Sequence, residues 1–170
     1  MSSRAVIFVG HGGVPNDFPR QDLSKLKALE GRRRAQGGPM TEEERLLDAA
    51  IRRWPRTAES DPYQAGFERL GAALRSELAG DTLYLAYNEF CAPTIEEAAE
   101  HAVAAGARSI TIVPSMLTPG GVHAEVEIPE VVEALQRAHP EVQIVYAWPF
   151  DLAEVAAFFA THVRAAQREP

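Results

Sequence analysis

Four short runs, apolar at nearly every position and rich in β-branched and aromatic residues, constrain this chain more than any other feature. They span residues 4–9, Thr82–Tyr87, Ser109–Pro114 and 142–148. Runs of this kind suit strands that are covered on both faces, as in parallel sheets; a sheet with one wet face would alternate apolar and polar residues. The first run stops at Gly10-His11-Gly12-Gly13, a sharp break that reads as a turn after a buried strand.

Helical patterns fill the intervals. Asp61 and Pro62 make a good N-cap and first-turn pair before residues 63–78, where Phe67, Leu70, Leu74 and Leu78 recur at helical spacing. Thr94 and Glu97 have capping-box spacing ahead of 98–105, and Gly106 is a natural stop. Ile128–Ala138 and 151–166, the latter capped by Asp151, complete the set. Strands alternating with helices predict an α/β fold: an open, mostly parallel four-stranded sheet flanked by helices.

One interval breaks the rhythm. Residues 14–60 are far longer than the ~2–6 residues of an ordinary strand-to-helix loop. They hold Pro15, Pro19, Pro39 and Pro55, the pair Gly37-Gly38, the basic run Arg32–Arg34, and two short helical patterns at 21–29 and 41–54. We read one domain over 1–170, with a helical insertion at about 14–60 that lies over the carboxyl edge of the sheet.

Charge and composition exclude several functions. Seventeen basic against 24 acidic residues give a net charge of -7, which argues against a nucleic-acid partner. A single cysteine, Cys91, rules out an internal disulfide and a cysteine-rich zinc site. No stretch approaches the ~20 apolar residues of a membrane span. A cytoplasmic protein without a membrane partner is expected.

The chemistry sits where the strands end. His11 follows the first, Asn88-Glu89 the second, and Pro119-Gly120-Gly121-Val122-His123 comes soon after the third. In a parallel sheet these points share one edge, the edge where ligands bind. Two imidazoles and a carboxylate suit a divalent transition metal, and three protein ligands leave positions open. Each residue also has a plain structural role: His11 in a tight turn, Glu89 as a charge before a helix, His123 at a helix start. His101, His139 and His162 lie in or beside predicted helices and read as surface residues. The glycines flanking His11 and preceding His123 would let a flat ligand approach the backbone.

These residues also carry a resemblance. Val9-Gly10-His11-Gly12, the stretch 85–97 around Glu89, the run 106–114, and 120–129 with its glycine–histidine–acidic–Ile-Pro order resemble the class II chelatases, the sirohydrochlorin and cobalt chelatases of the CbiX/SirB/CbiK type. Gly13 stands where serine is usual in that family and Glu127 where aspartate is usual. The insertion has no counterpart in its short members.

The resemblance implies insertion of a divalent metal, Co²⁺, Fe²⁺ or Ni²⁺, into a sirohydrochlorin-type tetrapyrrole. The metal is a substrate and no organic cofactor is needed. It implies that His11, Glu89 and His123 are both the metal ligands and the catalytic residues. It also implies a homodimer of single lobes. The alternative is a non-catalytic metal or tetrapyrrole carrier with the same fold. Glu125 and Glu127 are candidates to orient His123, or simply favour a helix N-terminus. Arg32, Arg33, Arg34, Arg52, Arg53 and Arg56 could meet substrate carboxylates. Phe18, Trp54, Tyr87 and Phe90 could line a slot for the ring, with core packing the alternative for Tyr87 and Phe90.

Overall fold

A computed structural model describes residues 3–168. The extreme ends of the 1–170 domain expected from the sequence lie outside the described residues. Strands β1 (Arg4–Gly10), β2 (Thr82–Tyr87), β3 (Ser109–Pro114) and β4 (Gln143–Tyr146) form one sheet in the order β2-β1-β3-β4. Every pairing is parallel, as the unbroken apolar runs require. The fourth strand is shorter than the 142–148 run, because Val142 turns in from the preceding helix and the chain leaves the sheet at Ala147.

Helices α1 (Arg20–Gln36) and α2 (Glu42–Arg52) follow β1 within residues 14–60, and α3 (Pro62–Glu77) leads into β2. Helix α4 (Ile95–Ala104) links β2 to β3, α5 (Ile128–Ala138) links β3 to β4, and α6 (Leu152–Ala166) follows β4. The predicted caps are in place. Asp61 accepts from the Gln64 amide, Thr94 and Glu97 close a reciprocal capping box, and Asp151 accepts from Ala153.

The period-two alternation of the strands sorts their side chains onto two faces. Ala5, Ile7, Val9, Ile110, Ile112 and Ile144 pack with the buried faces of α4 and α5. Val6, Phe8, Leu83 and Tyr87 turn the other way and meet Phe67 of α3. Helix α6 has no buried residue, and Phe158, Phe159 and Val163 are exposed.

The segment between β1 and α3 is packed structure. Helix α1 runs through Gly31 and the basic run, well past the predicted 21–29, because the α2 helix gives it a surface to lie on. Leu26 and Ile51 are fully buried and cluster with Phe18 and Phe90. Burying such side chains contributes about 1.5–3 kcal/mol each. Arg33 forms an ion pair with the buried Glu44 at 2.7 Å, which locks α1 to α2.

Candidate metal centre

The sheet order puts the switch point between β1 and β3, the place where open α/β sheets bind ligands outside their carboxyl ends. The parallel ladder continues past the strand ends. The Asn88 amide donates to Gly10 at 2.9 Å, Glu89 to His11 at 2.8 Å, and Ser115 to Val9 at 2.8 Å. The residues that follow β1 and β2 are therefore held in register by backbone bonds. His123 arrives from the other side, in a π-helical turn (His123–Glu127) that runs directly into α5. Such turns recur at functional sites because the extra residue re-aims a side chain.

Gly12 fits the two loops together. Its φ is +96°, and a Cβ there would lie 1.7 Å from the Glu89 carbonyl oxygen. This corrects the sequence expectation for the glycines beside His11. The space at Gly12 is filled by the Glu89 backbone. At Gly10 the Phe67 ring stands 3.1 Å from where a Cβ would project, so neither glycine leaves room for a flat ligand.

The structure brings His11, Glu89 and His123 together. One ligand atom from each lies within 4.8 Å of the other two. The two imidazole rings meet edge to face with centroids 4.7 Å apart, and His11 Nε2 is 3.9 Å from Glu89 Oε2.

Hydrogen bonding sets the tautomers. His11 Nδ1 lies 2.8 Å from the Gly12 carbonyl oxygen, which can only accept, so Nδ1 carries a proton and the neutral imidazole keeps its lone pair at Nε2. His123 Nδ1 lies 2.6 Å from Glu127 Oε2. Burial pushes the Glu127 carboxyl up, but hydrogen bonds from His123 and Asn88 and the nearby Arg34 charge outweigh this and hold it below its ordinary value. An ionised Glu127 accepts from His123 Nδ1 and again leaves Nε2 free. Asn88 Nδ2 donates to the same carboxylate at 2.7 Å and sits 3.0 Å from His123 Nδ1.

Of the two acidic candidates, Glu127 is the one that orients His123, while Glu125 turns away and accepts from the Gly120 amide. Tyr63, which the sequence does not single out, accepts from the His11 amide at 2.7 Å. Asn88 reads in the sequence only as a neighbour of Glu89. Neither has a sequence signal, because both act through contacts between distant elements.

The remaining candidates separate clearly. Arg52 bonds Asp48 and the carbonyls of Asn88 and Cys91, and Arg53 pairs with Glu97. Arg56 pairs with buried Asp61 and donates to the carbonyls of Gly13, Ile51 and Phe90. Arg52 and Arg56 thus hold the end of α2 and the residues after it to the site loops, and Arg53 ties α2 to α4. Arg34 reaches the site itself, 3.0 Å from Glu127 and 3.4 Å from Glu89. Among the aromatics, Tyr87 is core beneath α3, and Phe18 and Trp54 pack edge to face inside the insertion. Phe90 lines an open cleft of about 500 Å³ beside Glu89, together with Arg34, Met40, Val122, Val126 and Glu127. Cys91 is fully buried. His101 and His162 are exposed, and His139 bonds Glu100, all away from the strand ends.

The CbiX family model matches residues 58–164, a span that includes Glu89 and His123, with His11 preceding it. A sirohydrochlorin ferrochelatase of Priestia megaterium is 36% identical over 66 residues, covering 39% of this chain and 24% of that protein. The match thus reaches about a quarter of that relative's length. A putative cobalamin biosynthesis CbiX protein of Marinobacter aquaeolei VT8 shares the fold over 98% of this chain and 99% of its own, with TM-score 0.56 and 18% identity. SirB of Bacillus subtilis, described with Fe³⁺, has TM-score 0.53 and 22% identity over 92% of this chain and 45% of its own.

Proposed function

Since the chain belongs to the CbiX family, we propose that it inserts a divalent metal, Co²⁺ or Fe²⁺ with Ni²⁺ as the third candidate, into a sirohydrochlorin-type tetrapyrrole. The observation that carries this reading is the convergence of His11, Glu89 and His123, with each imidazole's Nδ1 beside an acceptor so that its neutral form presents Nε2. Two neutral imidazoles and a carboxylate make a mixed N/O set suited to first-row dications, with coordination positions left for the macrocycle.

Insertion exchanges a dication for two pyrrole protons. The ion would be held at His11 Nε2, a Glu89 oxygen and His123 Nε2, then lost to the macrocycle nitrogens as they deprotonate. His123 is the imidazole we assign to proton removal. The Glu127 carboxylate is hydrogen-bonded at its Nδ1 and orients the ring, whereas His11 Nδ1 is backed by a neutral carbonyl. Nε2 cannot hold the ion and a proton at once, so His123 would first give up the ion to His11, Glu89 and the macrocycle nitrogens; each proton then received at His123 Nε2 passes to solvent before the next. Glu89 offsets charge while the ion transfers.

Residues 1–170 are, on this reading, one chelatase lobe with an insertion at 14–60, and the working unit is a homodimer. Support for the dimer is the bare α6 helix. Phe158 is 63% exposed, and an open cleft lined by Val6, Phe8, Leu74, Val113, Phe150 and Phe158 leaves part of the sheet uncovered. Sedimentation of the wild type should show a dimer that Phe158→Lys dissociates.

The activity test mixes the protein with metal-free sirohydrochlorin and Co²⁺ or Fe²⁺ and follows the absorbance change. Insertion faster than the metal-only control, lost in the His11→Ala/His123→Ala double variant, is expected. No acceleration by the wild type would refute the chelatase reading, and retained metal binding would then favour a carrier.

A further inference from the structure

Helix α1 delivers one guanidinium to the strand ends. Arg34 donates to Glu127 Oε1 at 3.0 Å and approaches Glu89 Oε1 at 3.4 Å. Its neighbour Arg33 is tied to buried Glu44, and Leu26 is fully buried, so the helix that carries Arg34 is fixed. The Arg34 side chain itself is 52% exposed and lines the adjoining cleft. Glu30 faces the same cleft; burial and the Glu89 charge raise its pKa, and Arg34 opposes this. Three carboxylates thus surround one tethered cation.

We propose that Arg34 is a placeholder cation for the His11/Glu89/His123 centre. Its guanidinium holds Oε1 of Glu89 and Oε1 of Glu127 until a dication at the centre displaces it, and so sets how tightly metal is held. This rests on the metal-site reading above. A dication held by Glu89 sits a few ångströms from the guanidinium, and the two repel. Arg34 therefore lowers metal affinity, which favours release into a macrocycle. It also keeps Glu89 and Glu127 from repelling each other in the free protein. In this role Arg34 is a positioning residue that acts through the two carboxylates.

The test is calorimetric titration of Co²⁺ into the full chain, comparing wild type, Arg34→Ala, Arg34→Lys and His11→Ala/His123→Ala. A unit charge and a dication about 8 Å apart, the guanidinium having been displaced, interact by about 1 kcal/mol even in water, so removing the guanidinium should tighten binding about five- to tenfold. Arg34→Lys keeps the charge and should stay near wild type. The gap between wild type and Arg34→Ala should narrow at high salt, which a purely structural role would not produce. In the wild type, amides of residues 30–37 should exchange faster once Co²⁺ is bound, as the guanidinium contacts are given up.

Histidine-dependent binding that is unchanged or weaker in Arg34→Ala would overturn the placeholder role and leave the metal site standing. Binding that ignores loss of both histidines, or no binding at all, would overturn the site reading and this inference with it.

Discussion

Replacing Gly12 with alanine should damage the site more than its conservative chemistry suggests. The substitution has two separable costs. A φ of +96° disfavours an L side chain by about 1–2 kcal/mol. The added Cβ would also lie 1.7 Å from the Glu89 carbonyl oxygen and 2.8 Å from its carbon, where ordinary contact begins near 3.4 Å. The obstacle is backbone, so no rotamer change relieves it. The His11 and Glu89 loops must part by more than an ångström. That breaks the Asn88-to-Gly10 and Glu89-to-His11 hydrogen bonds, worth about 1 kcal/mol each. The total loss should be about 3–4 kcal/mol, set against a typical domain stability of about 5–15 kcal/mol.

Gly120 supplies the control. Its φ is +89°, but no atom lies within 4 Å of where a Cβ would project, so Gly120→Ala carries only the conformational cost. Urea unfolding of both variants separates the two effects. With a slope of about 2 kcal/mol per molar, the Gly12→Ala midpoint should fall about 1 M below that of Gly120→Ala. Displaced Glu89 should also weaken Co²⁺ binding at least about tenfold, each factor of ten being about 1.4 kcal/mol. A Gly12→Ala protein no less stable than Gly120→Ala would refute the packing argument.

Three further outcomes are expected. Arg56→Met strands the buried Asp61 carboxylate and the carbonyls of Gly13, Ile51 and Phe90, and denaturant titration should show a loss of about 3–5 kcal/mol, against less than about 0.5 kcal/mol for exposed Arg53→Met. Burial pushes the Cys91 thiol up, so a disulfide reagent at pH 8 should modify the native protein at least about 100-fold more slowly than the protein in urea; rapid native labelling would contradict its burial. Burial raises Tyr146 to about 12 from an ordinary value of 10.0 while its hydroxyl donates to the Ala124 carbonyl. The folded state therefore holds this proton more tightly than the unfolded state, and stability complete below pH 10 should decline toward pH 12, with a shallower decline in Tyr146→Phe.

The sequence by itself determined the elements and their order. Strand-length apolar runs without polar alternation require a parallel sheet, because both faces must be covered. Asp61, Thr94 and Asp151 announce their helices through side-chain oxygens that satisfy first-turn amides two or three residues on. His11, Glu89 and His123 were legible because strand ends of a parallel sheet share one edge, so residues 78 and 112 positions beyond His11 had to converge near it. Local spacing could not reveal what only contact between distant segments creates. The extent of α1 depended on the surface α2 offered it. The sorting of six arginines, with five committed elsewhere or free and Arg34 alone bonded at the carboxylates among the described residues, depended on where the insertion docks. The tautomers of His11 and His123 were decided by a carbonyl one residue away and a carboxylate one helical turn away, and only the folded geometry brings those acceptors to Nδ1 and leaves Nε2 bare.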